Sequence, residues 1–272
     1  MDLDAVLGDA AGQLTVTVDG GVATVTLTRP DTHTAVSYAL WHALGRLLPA
    51  LAADDAVDVV VLRGTPGGGP FSSGADIAEF QTLRADPEGA RLYGLAVHAG
   101  EQALIDFPKP TVALVEGFAI GGGTQLALAC DLRVCEPGSR FGITPAKLGI
   151  IYALGSTARL VEVVGAAWAR WILLTGDLLD AATALRIGLV HEVVEAGQVE
   201  ARAYALAATM SSRARISLEG GKALLDRAVR GRLEEDDEVV ALYHRSWTSG
   251  EYAEGVAAFL AKRAPDFRGA RP

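Results

Sequence analysis

Cysteine is scarce in this sequence, which holds only Cys130 and Cys135 among its 272 residues. Two cysteines are too few for a disulfide framework, and their spacing is not that of a zinc site. The first ten residues, MDLDAVLGDA, also lack the positive start and the apolar run of a secretory leader. We therefore expect a cytoplasmic protein.

Positive charge is also in short supply. The chain carries 24 lysine and arginine residues against 33 aspartate and glutamate residues, which gives a net charge of −9. Such a chain repels a phosphate backbone, so we expect no nucleic-acid partner. The run 111–131 is nearly free of charge, but Glu116 and the triplet Gly121 to Gly123 argue against a membrane span.

Half of the residues are hydrophobic, and their spacing predicts alternating strands and helices. Residues 13–28 predict a hairpin, because two runs rich in valine and threonine flank a turn at 19–21. Ser37 is expected to cap a helix with one apolar face, and residues 57–64 predict a buried strand. A further helix is predicted from Asp86 and Pro87 to about Asp106.

Two glycine-containing turns are the best candidates for a functional site. Residues 111–131, TVALVEGFAIGGGTQLALACD, predict a strand, a glycine turn and an apolar helix, and FSSGAD at 71–76 predicts a similar turn. Glycine lets a ligand approach the N–H groups at a helix N-terminus. Close packing explains a single such turn equally well, and no GxGxxG or GxxxxGK motif indicates a nucleotide.

From about Leu154 onwards the pattern predicts helices with short connections. Two amphipathic runs cover 195–230 and 233–247. Thr248 and Glu251 have the spacing of a capping box before a last helix. The C-terminal third is therefore expected to be helical.

The two turns, together with SRFGITPAKLGI, LLTGDLLDAATALRIGLVHEVV and EYAEGVAAFLAKRAPDF, resemble the crotonase superfamily, also called the enoyl-CoA hydratase/isomerase family. The resemblance implies an α/β fold, a spiral of ββα units with a C-terminal helical region that forms a trimer or a dimer of trimers. We place the spiral core in 1–200 and the helical region in 201–272. The implied substrate is an acyl-CoA thioester, with no metal and no cofactor beyond coenzyme A itself.

The resemblance also implies an oxyanion hole made of two backbone N–H groups. By motif position these belong to Ala75 and Gly122, with Gly74, Asp76, Ile77 and Gly121 beside them. Two donors at a helix N-terminus suit the charge that a thioester enolate concentrates on its oxygen.

The side chains at the expected acid and base positions depart from the standard hydratase pattern. Gln125 and Pro145 stand where hydratases carry glutamates, and Ala153 stands where several isomerases and dehalogenases carry an acid. An amide and a proline cannot transfer protons, which argues against hydration. Glu79 is the one carboxylate that the sequence allows to face the acyl group, although the pattern favours a position on a solvated helix face.

Tyr152 lies in TPAKLGIIY, which resembles the TPxxLGxxY motif of the methylmalonyl-CoA decarboxylase branch. In that branch the tyrosine is the functional side chain, and decarboxylation needs no general base because loss of CO₂ leaves the enolate electrons. The branch carries histidine and glutamate where this chain has Ala75 and Gln125. We therefore keep two alternatives: a hydratase or isomerase with an atypical site, and a catalytically silent protein that binds acyl-CoA.

Four further residues are candidates for binding the coenzyme A portion. Arg29 and His33 lie where relatives place basic groups near the CoA phosphates. Phe259 and Lys262 correspond to residues of the closing helix that in relatives reach a CoA bound to a neighbouring subunit.

Overall fold

Eleven strands are found in the computed structural model, which describes residues 3–67 and 69–271. In chain order they are β1 (Leu14–Asp19), β2 (Val22–Leu27), β3 (Ala35–Val36), β4 (Val59–Arg63), β5 (Gly74–Ala75), β6 (Thr111–Val115), β7 (Phe118–Ile120), β8 (Leu132–Cys135), β9 (Arg140–Gly142), β10 (Leu179–Asp180) and β11 (Glu192–Val193). The main sheet has the order β1-β2-β4-β6-β8-β11. Two small sheets, β10-β9-β7 and β3-β5, lie outside it.

Eleven α-helices accompany the strands in the same described residues. They are α1 (Leu3–Leu7), α2 (Tyr38–Ala52), α3 (Phe80–Leu83), α4 (Pro87–Ile105), α5 (Gly122–Ala129), α6 (Leu154–Thr175), α7 (Ala181–Arg186), α8 (Val199–Ser211), α9 (Arg215–Val229), α10 (Asp237–Trp247) and α11 (Gly250–Leu260). Helix α6 breaks at Gly165, whose φ of 73° and ψ of 160° are not helical. The C-terminal third is helical, as the sequence predicted.

The predicted hairpin is confirmed. β1 and β2 pair antiparallel with Leu14 opposite Leu27, and the turn between them uses positive φ at Gly20 and Gly21. The next strands, β4, β6, β8 and β11, add in parallel. Parallel pairing needs crossover connections, and α2, α4 and α5 lie in them.

Both predicted helix starts are confirmed by their caps. Ser37 Oγ accepts a hydrogen bond of 3.1 Å from Leu40 N at the start of α2. Asp86 Oδ1 accepts one of 2.8 Å from Gly89 N, with Pro87 as the first residue of α4. The apolar face of α2 is buried in the main core, which also includes β2 and α5.

The opposite face of the sheet has a smaller core. Val59, Val61, Val112 and Leu114 pack there against α8. The predicted division after residue 200 falls inside this helix. No helix within 3–67 or 69–271 is long and apolar enough to cross a membrane.

Two predicted helix starts near the C-terminus are wrong. The cap of α11 is Ser249 rather than Thr248, since Ser249 Oγ accepts from Tyr252 N at 3.0 Å. Glu251 reaches away from its own helix and accepts hydrogen bonds from the first two N–H groups of α9, at 3.0 and 2.8 Å. Helix α10 begins after Asp236 rather than at Leu233, because the Asp236 carboxylate caps Val239 N.

Candidate active site

The two glycine turns lie side by side. Ser72 pairs in parallel with Ala119, and Ile120 N donates to Ser72 O at 2.9 Å while Ser72 N donates to Phe118 O at 3.1 Å. This short ladder carries Gly74 and Ala75 forward next to Gly121 and Gly122. The sequence therefore identified two turns that the fold joins into one structure.

Glycine is required at the contact between these turns. Gly74 has a φ of +100°, and a Cβ at this position would stand 2.6 Å from Ile120 O. A Cβ on Gly123 would stand 2.8 Å from Ser72 Cβ. Gly121 has a φ of +52°, in the region that disfavours side chains. The close approach therefore depends on the missing side chains.

Two residues with backbone N–H groups free of helix or strand partners in the described part of the chain, Ala75 and Gly122, line the space in front of the turns. Gly122 is the first residue of α5, so its N–H has no partner within the helix. Asp76 N donates to Val36 O in β3, and the N–H of Ala75 before it faces the other side of the strand. A Cβ on Gly122 would stand 3.4 Å from Ala75 N, which places the two groups close together. This arrangement suits an anionic oxygen.

A cavity of about 280 Å³ opens in front of these N–H groups. Nine of the residues that the sequence singled out line it: Gly74, Ala75, Ile77, Gly121, Gly122, Gln125, Pro145, Tyr152 and Ala153. Much of the remaining wall is apolar and includes Phe80, Val97 and Leu148. An acyl chain fits such a wall.

Arg29, Asp76 and His33 lie outside the cavity lining. Arg29 Nη2 forms a salt bridge of 2.8 Å with Asp76 Oδ2, and Asp76 Oδ1 caps the turn at Ala78 N. His33 adopts the left-handed conformation, and its carbonyl oxygen accepts a hydrogen bond from Ser73 N. This segment therefore contacts the first glycine turn from outside the cavity.

Phe259 and Lys262 also lie away from the cavity of their own chain. The side chain of Phe259 is 83% exposed and borders a cleft between α9 and α11. Lys262, just past α11, has a φ of 54°. Neither residue lines the cavity in front of Ala75 and Gly122 of its own chain.

The sequence reasoning missed Glu101, a buried carboxyl group that lines the cavity. Glu101 Oε2 accepts hydrogen bonds of 2.7 Å from Gln125 Nε2 and from Ser156 Oγ. Burial raises the pKa of Glu101, while the hydrogen bonds from Ser156 and Gln125 and the nearby His98 act in the opposite direction. The expectation that only Glu79 could face the acyl group is wrong.

Glu79 turns instead towards the start of α2. Its Oε2 accepts a hydrogen bond of 2.8 Å from Tyr38 N, and it does not line the cavity. Burial raises the pKa of Glu79 as well. Glu79 therefore supports the fold near the cavity without facing into it.

Three polar atoms around the cavity are buried without a hydrogen-bond partner among the residues that the structure describes. They are Trp41 Nε1, Tyr93 Oη and Tyr152 Oη. Burial raises the pKa of Tyr152, so its hydroxyl stays protonated at neutral pH. Unpaired buried polar atoms are costly, and a bound ligand is one partner that could satisfy them.

Known proteins resemble this chain along most of its length. The sequence profile of the family Enoyl-CoA hydratase/isomerase matches residues 17–270. A Mycobacterium leprae protein named "Probable enoyl-CoA hydratase echA8" is 34% identical, over 93% of this chain and 97% of the relative. The crystal structure of an enoyl-CoA hydratase/carnithine racemase from Magnetospirillum magneticum superimposes with a TM-score of 0.89 at 34% identity, covering 94% of this chain and 95% of that one.

Proposed function

Because this chain belongs to the enoyl-CoA hydratase/isomerase family and has the crotonase fold, we propose that it is an acyl-CoA lyase that works through a thioester enolate. The observation that supports this proposal is that Ala75 and Gly122 lie close together in the wall of the cavity. A thioester carbonyl oxygen placed between them accepts two hydrogen bonds. These strengthen as the oxygen gains negative charge.

The two donors are expected to stabilise the negative charge that develops on the thioester oxygen. Each preorganised donor of this kind contributes about 3 kcal/mol to the stability of a developing oxyanion. Helix α5 adds the positive end of its dipole at Gly122. Coenzyme A enters as part of the substrate, and this chemistry calls for no metal or other cofactor.

The test uses two substitutions at one position. Gly122→Pro removes the N–H and keeps a helix start, since proline is tolerated at the first helical position. Gly122→Ala also adds a Cβ, 3.1 Å from Trp41 Cζ2, but keeps the N–H. We expect turnover of the proline variant to fall at least about a hundredfold below that of the alanine variant. Equal turnover would contradict the proposed role of this N–H.

Decarboxylation of a malonyl-type thioester, such as methylmalonyl-CoA, is one form of the reaction. Tyr152 supports it, because its unpartnered hydroxyl is buried at the cavity and can orient the substrate carboxylate. Loss of CO₂ leaves the electron pair on the enolate, so no base is needed. Release of CO₂ from malonyl-type thioesters is the direct assay.

Hydration of a 2-enoyl-CoA is the second form, and Glu101 favours it. This carboxyl group at the cavity supplies the proton-transfer group that neither Gln125 nor Pro145 can provide. Relatives named as enoyl-CoA hydratases support the same reaction. Loss of absorbance by crotonyl-CoA measures it.

A silent acyl-CoA binding protein is the alternative to both reactions. It would bind thioesters, which raises the melting temperature, yet turn over none of a broad panel. Turnover that depends on Gly122 would exclude it. We place the protein in the cytoplasm, which agrees with two buried, unbonded cysteines.

A further inference from the structure

We propose that Glu101 is the catalytic residue that transfers the proton to the α-carbon of the bound enolate. The inference rests on the proposed acyl-CoA chemistry and adds to it a residue from α4, a helix outside both glycine turns. Three observations carry it: the position of Glu101, the hydrogen bonds that hold it, and the oxygen that these bonds leave for a ligand.

Glu101 stands beside the two N–H donors. Gln125 lies three residues after Gly122 in α5, and residues at this spacing share one face of a helix. The Glu101 carboxylate is 2.7 Å from the Gln125 amide, so it lies on the side of the cavity where the enolate oxygen is held. The α-carbon of an enolate is bonded directly to the carbon that bears that oxygen.

The carboxyl group is held rigidly at one oxygen. Gln125 Nε2 and Ser156 Oγ both donate to Oε2, and Gln125 Nε2 also donates to Ser156 Oγ at 2.9 Å. The three side chains come from α4, α5 and α6. Both hydrogen bonds end on Oε2, so Oε1 is the atom left to meet a ligand in the cavity.

The charged and titratable groups around Glu101 come from two neighbouring segments and from its own helix. His98 lies one turn earlier on α4, Arg159 belongs to α6, and Tyr152 lies just before α6. The direct partners of the carboxyl group are neutral, and no salt bridge to it is found in the described ranges. A carboxyl group in this setting can change its protonation state without breaking an ion pair.

The proton step balances for both lyase reactions. In hydration, ionised Glu101 takes a proton from water as the hydroxide oxygen bonds to the β-carbon, and then returns that proton to the α-carbon. In decarboxylation, the bond to the carboxylate breaks, CO₂ leaves, and protonated Glu101 gives its proton to the α-carbon. Solvent water then reprotonates the carboxylate.

The first experiment replaces the acid and keeps its shape. Glu101→Gln is compared with Glu88→Gln, a control on the same helix whose side chain is exposed and pairs with Arg91. Turnover of crotonyl-CoA and of a malonyl-type thioester is measured, with affinity for a saturated acyl-CoA as a second readout. We expect turnover of Glu101→Gln to fall about a hundredfold or more, with affinity changed by less than about threefold and the control unchanged.

The second experiment shifts the protonation of Glu101 without removing it. Ser156→Ala deletes a hydrogen bond that stabilises the carboxylate, so the pKa of Glu101 should rise further. The limb of the pH profile that reports this group should then move to higher pH. That limb is the acidic one for hydration and the basic one for decarboxylation, since these reactions start from opposite protonation states.

The outcomes separate this inference from the proposed function. If Glu101→Gln turns over substrate within about threefold of the wild-type rate, Glu101 is not the proton donor and the lyase proposal stands. If the wild-type protein neither turns over nor binds any thioester, both proposals fail. If melting shows that Glu101→Gln is unfolded, the Ser156→Ala profile decides, and an unshifted limb overturns the inference.

Discussion

At the scale of the residue, replacing Tyr152 is expected to change stability and turnover in opposite directions. Its hydroxyl oxygen is buried and makes no hydrogen bond of normal geometry with a described residue, although the Ser156 side chain lies close enough to lower its pKa, so Tyr152→Phe removes at most a weak hydrogen bond within the protein. Deleting an unsatisfied buried hydroxyl should raise the free energy of unfolding by about 1 kcal/mol. If the hydroxyl contacts the substrate carboxylate, turnover should fall about tenfold to a thousandfold.

Thermal melting and CO₂ release from malonyl-type thioesters measure the two effects of Tyr152→Phe. A stable variant with reduced turnover supports contact between the hydroxyl and the substrate. Unchanged turnover on every malonyl-type thioester would remove the basis for decarboxylation, while leaving hydration through Glu101 open.

At the scale of the element, the two glycine turns depend on one close contact. Gly74 and Gly67 have similar positive φ values, +100° and +96°, so an alanine at either position has a strained backbone. A Cβ on Gly74 meets Ile120 O at 2.6 Å, whereas a Cβ on Gly67 meets nothing within 4 Å. The pair therefore isolates the contact from the backbone strain, which costs about 1 kcal/mol at each position.

We expect Gly74→Ala to be less stable than Gly67→Ala by at least about 1 kcal/mol, because overpacking pushes the turns apart. Its turnover should also fall, since the Ala75 and Gly122 N–H groups separate. Chemical denaturation and turnover measured on both variants check this. Equal stability of the two variants would show that the turns can move apart without cost.

The elements also show what the sequence could predict. Helices α2 and α4 were predicted from Ser37, Asp86 and Pro87, because caps act through neighbouring residues. The role of Glu101 left no local signal, since Gln125 and Ser156 lie 24 and 55 residues further along the chain. Its surroundings exist only after α4, α5 and α6 have packed together.

The start of α10 was missed although its Asp236 cap is local. Arg227 in α9 binds Asp236 at 2.6 Å and Glu238 at 2.8 Å. These contacts stabilise the start of α10. The apolar spacing from Leu233 onwards does not predict them. The Asp236 cap therefore acts together with contacts to the preceding helix, and neither follows from apolar spacing.

Asp58 connects the C-terminal segment to the sheet. It is 3% exposed and binds Arg215 at 2.7 Å and Arg271 at 2.6 Å, together with Arg268. Burial alone would raise the pKa of Asp58, but the hydrogen bonds from the three arginines lower it to about 2. This stabilisation is complete above about pH 4 and is lost as the pH falls towards 2.

Asp58→Asn should therefore cost about 3 kcal/mol at neutral pH, because it leaves three arginines without their shared partner. The control is Asp55→Asn, since Asp55 is fully exposed and binds only Arg215 among the described salt bridges. We expect the control to cost less than about 1 kcal/mol. Denaturation at pH 7 and pH 3 checks this, and the Asp58 variant should lose less stability on acidification than the wild-type protein.

At the scale of the whole molecule, the C-terminal helices leave large apolar side chains in contact with solvent. The most exposed in this part are Leu225, Leu233, Trp247, Phe259 and Leu260, each more than 60% exposed. Exposed apolar groups in such number are typical of a protein–protein interface. Together with the family resemblance, they support the proposal of a trimer or a dimer of trimers.

Sedimentation at micromolar concentration should give three or six times the chain mass of 28.3 kDa. The assembly should persist in about 1 M salt, because apolar burial is not screened as exposed charges are. Phe259→Asp should weaken assembly, whereas Val18→Asp, on β1 and 43% exposed, is the control.

Since the resemblance implies that Phe259 and Lys262 reach a CoA on a neighbouring subunit, dissociation should raise KM for a CoA thioester but not for a pantetheine thioester. A stable species of 28.3 kDa would contradict the trimer.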